Sequence, residues 1–316
     1  MRRLIITGLL SLTLICEAQT PEYPNRPVRI LVGFTPGGGP DITARHLAQK
    51  LTESWGQQVI VENRPGAGGT LAAAMAARAA PDGYTLLSVS SAHAAAAAIY
   101  PKLGYDTLKD LAGITQTGTS KYVLVSSEFK TLKDLLAAAR SRPGQLNFSS
   151  AGVGSGTHFA AEIFKSMAAI DVVHVPFKGI PEALSETIAG RVQFFMAPIA
   201  NAVNQVREGK LLGLGVSSPK RDPLLADVPT LAEAGVPGYE SELWFGILAP
   251  AGLPAAVMMK LNREITRVLS EAETRARWSA IGIEPRPTKP AEFDALVRRE
   301  IALFSRIARA AQIRAD

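Results

Sequence analysis

Residues 28–47, VRILVGFTPGGGPDITARHL, join an apolar segment to a helical one through three consecutive glycines. The β-branched run at 28–32 predicts a strand, and residues 42–55 repeat small and apolar side chains at helical spacing. A helix that follows a strand directly points unpaired N–H groups, and the positive end of its dipole, at one spot. Because glycine lets a ligand approach that backbone, the stretch predicts an anion-binding loop. The alternative is a tight turn that needs glycine for its backbone angles.

Strands and helices alternate along the rest of the chain, which is typical of parallel sheets covered by helices. The pattern occurs in two halves, and chain crossings between them are predicted near 121–126 and 240–250. A second glycine loop, AGVGSGTH at 151–158, again separates a predicted strand from a predicted helix. The predicted strands are 28–32, 58–62, 84–89, 122–126, 146–150, 172–175, 192–196, 212–217 and 244–249, and the predicted helices are 42–55, 71–79, 132–139, one after the second glycine loop, 182–189 and two long ones at the end.

Length and composition are those of a globular protein. The 316 residues are enough for two α/β domains, and 47% of them are hydrophobic against 20% charged. The net charge is +6, but Lys and Arg are spread along the chain without a run of five. We find no nucleic-acid-binding module in the sequence, so we interpret the charge as solvated surface and predict no nucleic-acid partner.

The N-terminus has the pattern of a secretory signal peptide. Two arginines precede an apolar run at residues 4–16, which is shorter than the roughly 20 residues that cross a bilayer. An acceptable cleavage site ends at Ala18, so residues 1–18 are predicted to be removed after secretion. A lipid anchor at Cys16 and an uncleaved anchor are the alternatives, disfavoured by the large Ile15 and by the short apolar run respectively. Cys16 is the one cysteine, so the mature chain is expected to lack disulfides.

Neither glycine loop completes a catalytic or nucleotide-binding motif. Both lack the P-loop lysine and the third glycine of a dinucleotide fingerprint, and the spacing around Ser155 does not fit a nucleophile elbow. The histidines His46, His93, His158 and His174 do not have metal-ligand spacing. We therefore predict no cofactor, no metal and no enzymatic activity. The alternative is an enzyme acting on an organic acid, with Ser155 as nucleophile and His158 as base.

Backbone donors are strong enough to hold a small carboxylate without an arginine. A micromolar site needs about 8 kcal/mol, and a hydrogen bond to a charged group contributes roughly 1.5–3 kcal/mol. Three or four N–H or hydroxyl donors beside an apolar wall such as Phe34 therefore suffice. One glycine loop in each half, facing each other across a cleft, would supply them.

Several longer segments carry a specific resemblance. The chain resembles the tripartite tricarboxylate transporter substrate-binding proteins, also called the Bug family, from about Tyr23 to the last helices. The matching segments are YPNRPVRILVGFTPGGGPDITARHLAQKL, VIVENRPGAGGT, ARAAPDGYTLL, NFSSAGVGSGTHFAAEIF, VVHVPFKG, ADVPTLAEAGVPGYE and FGILAPAGLP.

The resemblance implies an α/β fold of the type II periplasmic binding protein class, with two lobes joined by two crossing strands and a ligand cleft between them. It predicts lobe 1 at 19–121 plus 246–316 and lobe 2 at 122–245. It also implies a periplasmic receptor, expected to be a monomer, that captures an organic carboxylate and delivers it to a two-subunit membrane permease. A receptor that signals to a membrane sensor is the alternative to transport.

The family's two ligand loops correspond to residues 33–41 and 151–158. The resemblance implies that one carboxylate is held from both loops. Asp41 is expected to favour the helix dipole and pair with Arg45, and Lys178 to be a solvated lysine or a charge at the cleft edge. The ligand-binding residues predicted in this way are Phe34, Thr35, Gly37, Gly38, Ser90, Ser91, His93, Gly154, Ser155, Thr157, His158 and Ala197.

The sequence departs from the family pattern at a few positions of this site. Pro40 replaces a common Thr, which removes a hydroxyl and an N–H, and Ala96, Ala97 and Ala197 stand where relatives often carry polar residues or proline. A less polar pocket is expected to result. We therefore hypothesise that the far end of the ligand is apolar or aromatic, while the identity of the carboxylate stays open.

Overall fold

The computed structural model describes residues 23–310 and 312–314, which form ten strands and ten α-helices. The predicted signal peptide and Cys16 lie outside the described residues. The strands are β1 Val28–Val32, β2 Val59–Asn63, β3 Thr85–Ser90, β4 Leu111–Ser126, β5 Asn147–Ser150, β6 Val173–Pro176, β7 Phe194–Pro198, β8 Leu212–Val216, β9 Glu242–Pro250 and β10 Ile283–Pro285. The helices are α1 Gly39–Trp55, α2 Thr70–Ala77, α3 Ala92–Ile99, α4 Leu132–Ser141, α5 Gly156–Ala168, α6 Ile180–Ile188, α7 Ile199–Arg207, α8 Ala255–Ser270, α9 Ala272–Ser279 and α10 Pro290–Ala310.

Two parallel sheet regions are joined by two long antiparallel strands. The strand order is β2-β1-β3-β9-β4-β7-β5-β6, with β8 and β10 also paired to β4. The trios β2-β1-β3 and β6-β5-β7 are parallel, whereas β9 is antiparallel to both β3 and β4. The first part of β4 pairs with β9 and its last residues pair with β7 and β8, so β4 crosses from one region to the other. This is the predicted two-lobe α/β architecture with two crossing strands.

Helices cover both sheet regions, so their central strands are buried on both faces. All six residues of β3 and all five of β7 are buried, as expected for strands between two helical layers. The C-terminal helices return to the first region, where α8 contacts α1 and α10 contacts α3. The lobe boundaries at 19–121 plus 246–316 and 122–245 stay a prediction. Within the described residues, the structure has no helix with the length and apolarity of a membrane span.

The structure differs from the predicted elements in four places. Helix α1 begins at Gly39, three residues before the predicted 42. Strand β4 begins at Leu111, well before the predicted 122, because β9 pairs with residues 111–121 and β10 pairs with residues 118–120 on the other side. Helix α7 was not predicted, and the chain ends in three helices and a short strand instead of two helices. The alanine run at 94–98 lies inside α3, in agreement with its high helix propensity.

Candidate ligand-binding cleft

The two glycine loops border one cavity, which we call the amide pocket. It lies between the starts of α1 and α5 and has about 380 Å³ of space that no atom fills, part of it open to solvent. None of its lining residues carries a charge. The lining consists of Phe34, Gly38, Gly39, Pro40, Ser90, Ala151, Ser155, Gly156, Thr157, Ile180, Pro198, Leu243 and Phe245.

The first loop leaves two backbone N–H groups free at the start of α1. Gly38 is the N-cap residue, and its carbonyl accepts hydrogen bonds from the N–H groups of Asp41 and Ile42 at 3.0 and 2.9 Å. The N–H of Gly37 donates to Asp41 Oδ2 at 2.9 Å and is therefore occupied. The N–H groups of Gly38 and Gly39 donate to no protein atom of residues 23–310 and 312–314. Both residues line the amide pocket.

The second loop repeats this arrangement at the start of α5. Ser155 is the N-cap residue, and its Oγ accepts from the N–H of His158 at 3.2 Å. The N–H of Gly154 is occupied, since it donates to His158 Nδ1 at 3.2 Å. Gly156 and Thr157 are the first two helical residues, and among the described residues no acceptor takes their N–H groups. The two loops therefore offer four free amides to one pocket.

Two buried hydroxyl groups add a further donor. The N–H of Ala151 donates to Thr157 Oγ1 at 2.9 Å, and that oxygen lies 2.9 Å from Ser155 Oγ. Ser155 and Thr157 are 2% and 3% exposed. One hydroxyl hydrogen joins the two oxygens, so the hydrogen of the other hydroxyl stays available to the pocket.

Asp41 holds the first loop in place. Its carboxylate is buried and accepts hydrogen bonds from the Gly37 N–H, from Arg45 Nε at 3.0 Å and from Asn63 Nδ2 at 2.9 Å. Burial alone would raise the pKa of Asp41, but these hydrogen bonds outweigh it and lower the pKa below its usual value. The predicted pairing of Asp41 with Arg45 is confirmed.

Two stacked histidines support the second loop from behind. The rings of His158 and His174 lie 3.9 Å apart and nearly parallel, Phe148 stacks on His174, and Ser150 Oγ hydrogen-bonds His174 Nε2 at 2.6 Å. Burial, together with electrostatic interaction with His174 and Lys165, lowers the pKa of His158 to about 3. Burial also lowers the pKa of His174 to about 4. Both rings are therefore neutral at pH 7, and neither borders the amide pocket.

The remaining predicted residues lie around the pocket or behind it. Ser91 hydrogen-bonds the Tyr122 hydroxyl. His93 borders a smaller neighbouring cavity, where its ring stacks on Tyr105 and burial lowers its pKa to about 4. Ala197 is fully buried in the core of the second region.

Of the twelve predicted ligand-binding residues, five line the amide pocket, namely Phe34, Gly38, Ser90, Ser155 and Thr157. Ligand contact by any of the twelve stays a prediction. The sequence analysis missed Gly39 and Gly156, although the strand-to-helix pattern could have found them as first helical residues. It also missed Ile180, Leu243 and Phe245, which come from distant segments without a local signal.

Side chains of the two regions meet across the mouth of the cleft. Thr35 Oγ1 donates to Glu182 Oε2 at 3.3 Å, and Asn201 Nδ2 donates to the Gly37 carbonyl at 2.7 Å. Thr35 and Gly37 belong to the first loop, whereas Glu182 and Asn201 lie on α6 and α7. The cleft is thus closed in this structure. In the part of the chain that the structure describes, no group of three or more His, Cys, Asp or Glu could hold a metal ion.

Comparisons with known proteins agree on one family. The family model described as tripartite tricarboxylate transporter family receptor matches residues 43–312. Protein BugT of Bordetella pertussis (strain Tohama I) is 31% identical over 315 residues, covering 98% of this chain and 97% of BugT. The structure of R. palustris Rpa4515 with adipate has a TM-score of 0.89 at 32% identity, covering 93% of this chain and 99% of that one. MatC (Rpa3494) from Rhodopseudomonas palustris with bound malate has a TM-score of 0.85 at 34% identity, covering 90% and 99%.

Proposed function

Because the chain belongs to the tripartite tricarboxylate transporter receptor family, we propose that it captures a small organic carboxylate between its two lobes and delivers it to a two-subunit membrane permease. The family consists of solute receptors, and structural relatives hold adipate and malate, which are both carboxylates. We further propose that the mature chain is a periplasmic monomer released by cleavage after residue 18, with lobe 1 at 19–121 plus 246–316 and lobe 2 at 122–245.

The four free amides of Gly38, Gly39, Gly156 and Thr157 are the observation that carries this proposal. They converge on one pocket from two helix N-termini, whose dipoles favour a negative charge. Four hydrogen bonds to a carboxylate contribute about 6–12 kcal/mol, a range that includes the about 8 kcal/mol of a micromolar site. An acid group held in this way needs no positively charged side chain.

Binding from both sides couples the ligand to closure. A carboxylate that contacts both loops stabilises the closed form, in which the Thr35–Glu182 and Asn201–Gly37 hydrogen bonds also form. The permease is then expected to recognise the closed shape. A ligand that touched a single lobe would shift no equilibrium between open and closed forms.

We propose binding without turnover. Ser155 Oγ accepts a hydrogen bond from the backbone N–H of His158, and the imidazole Nδ1 of His158 accepts one from Gly154. The hydroxyl and the imidazole are therefore engaged separately, which does not support the nucleophile and base pair of the enzymatic alternative. A bound acid is expected to be recovered unchanged after prolonged incubation.

A matched pair of variants tests the amide mechanism. Thr157→Val and Thr157→Pro both remove the hydroxyl, but only the second also removes the N–H. Proline is compatible with this position, since α1 itself begins with Gly39-Pro40 at the equivalent first two residues. We expect Thr157→Pro to bind acids at least about tenfold more weakly than Thr157→Val in calorimetry, the loss of one charged hydrogen bond. Equal affinities of two folded variants would contradict the mechanism.

A further inference from the structure

A second cavity, which we call the outer chamber, lies beside the amide pocket. It has about 820 Å³ of space that no atom fills, part of it open to solvent, and the two cavities share Phe34 and Ala151 in their walls. A ligand whose acid group lies in the amide pocket would reach the chamber beside Phe34. The amide pocket alone has less than half that volume.

Three aromatic rings line the outer chamber. Phe34 follows β1, Tyr100 follows α3, and Phe177 follows β6, so the rings come from both sides of the cleft. Each of the three is partly exposed, which leaves ring surface for a ligand to cover. Ring faces carry negative partial charge and favour apolar or aromatic groups over a carboxylate.

Lys178 is the one charged residue in the chamber wall, and its side chain is exposed. An ion pair with an exposed lysine contributes little, because water screens it. A second carboxylate at the far end of the ligand would therefore lose its hydration next to the rings and gain a weak partner. The chamber is thus suited to an uncharged group.

The two sides of the cleft approach each other at the edge of the chamber. A Cβ atom placed on Gly68 would lie 2.8 Å from the Val153 carbonyl oxygen and 3.7 Å from the Tyr100 hydroxyl. Backbone from both regions therefore meets directly beside the rings. A far end of the right size is enclosed when the cleft closes, whereas a short acid leaves the rings uncovered.

We propose that the outer chamber binds the far end of the ligand and that the preferred ligands are monocarboxylates ending in an aromatic ring or a long hydrocarbon chain. This inference rests on the proposed function, since it takes the acid group to be held by the four amides. It adds the class of acid that the receptor selects.

Calorimetry on the mature chain tests the inference with butyrate, decanoate, 3-phenylpropanoate, malate and sebacate. We expect decanoate and 3-phenylpropanoate to bind at least about tenfold more tightly than butyrate, since they cover the rings. Decanoate and sebacate have equal length and differ in one terminal carboxylate, and we expect decanoate to bind more tightly. Tightest binding of sebacate or malate would overturn the inference.

Variants separate the two cavities. Phe177→Ala is expected to weaken 3-phenylpropanoate about tenfold or more while it leaves butyrate unchanged, because butyrate stays in the amide pocket. Unchanged butyrate binding also shows that the variant is folded. Equal losses for both acids, or no loss for either, would contradict the proposal. Lys178→Met tests whether Lys178 pairs with a second carboxylate of the ligand. A selective loss of sebacate binding in this variant would also contradict the proposal.

The outcomes distinguish failure of the carboxylate-receptor function from failure of the chamber's proposed selectivity. If no acid of the panel binds, the proposed function fails together with the inference. If malate and butyrate bind but a ring or a chain adds no affinity, the carboxylate receptor stands and the chamber's selectivity is wrong.

Discussion

A single methyl group at Gly179 should disfavour closure of the cleft. Gly179 is the N-cap residue of α6 and has extended backbone angles, φ −171° and ψ 180°, which alanine adopts without strain. A Cβ atom there would overlap Thr35 Oγ1 from the opposite side of the cleft and lie 2.9 Å from Glu182 Oε2. Glu182 belongs to the same helix and its flexible side chain can shift, whereas Thr35 comes from the opposite side, so we expect the overlap with Thr35 only in the closed form.

The cost of Gly179→Ala is the hydrogen bond across the cleft. Thr35 can rotate away from the new methyl group, but it then loses its contact with Glu182, which is 3.3 Å long and partly exposed. A hydrogen bond to a charged group contributes roughly 1.5–3 kcal/mol, and partial exposure favours the lower value, so affinity should fall about tenfold. Calorimetry with the acid that binds the native chain most tightly measures this fall.

Two companion variants control for local effects. Gly179→Ser adds the same Cβ atom but also a good N-cap side chain, so the stability of the ligand-free protein should be kept while affinity still falls. Thr35→Ala removes the same hydrogen bond, so the double variant Thr35→Ala with Gly179→Ala should bind about as well as either single one. Fully additive losses, or an unchanged affinity of Gly179→Ala, would refute the reasoning.

Three further predictions concern the loops. Pro40→Thr gives α1 a third N–H and a hydroxyl at the pocket, so acids should bind about tenfold more tightly in calorimetry; unchanged affinity would show that this amide does not face the ligand. Asp41→Asn removes the charge that Arg45 contacts, and chemical denaturation should show a loss of about 1–3 kcal/mol. The neutral rings of His158 and His174, with folded pKa values of about 3 and about 4, take up protons more readily when unfolded. The free energy of unfolding that the neutral rings contribute is therefore fully present above pH 6.5. It is lost as the pH falls towards 4, by up to about 1.4 kcal/mol per pH unit and ring. In thermal melts across this pH range, His174→Asn should show a smaller loss of stability than the native chain.

The two glycine loops at helix N-termini could be identified from the sequence, whereas the free N–H groups lie one or two residues away from the glycines that were emphasised. A first helix predicted to begin at Ile42 put the emphasis on Gly37, whose N–H donates to Asp41. Proline is favoured in the first turn of a helix, and Gly39-Pro40 could have been recognised as the start of α1. The start of α1 depends on local sequence, so the rules for helix capping could have located it.

Other features could not be predicted from local pattern at all. The first half of β4 contains Gly113 and Gly118 among threonines, a composition that indicates a loop. Both glycines are required by tertiary neighbours, because a Cβ atom at either would lie 2.9 Å from the Phe293 ring or 2.8 Å from the Glu284 carbonyl. The strand exists because partners on both sides satisfy its backbone, and that information is distant in sequence.

The two glycine loops have the same local structure, and both pack against the crossing strands. Each has an N-cap residue, then a glycine and then Pro or Thr, and each glycine is packed against a crossing strand. A Cβ atom at Gly39 would overlap the ring of Phe245 on β9, and one at Gly156 would lie 2.6 Å from the hydroxyl of Tyr122 on β4. The strands that connect the lobes therefore also position the amides.

This arrangement separates the two tasks of the cleft. The amides lie against the connecting strands, so we expect a rotation of the lobes about these strands to displace them little. Contacts between loops of the two regions, such as Thr35–Glu182 and Gly68–Val153, are expected to move more during closure. Changes at the outer contacts should therefore alter closure and selectivity between acids, while changes at Gly156 or Thr157 should weaken every carboxylate alike.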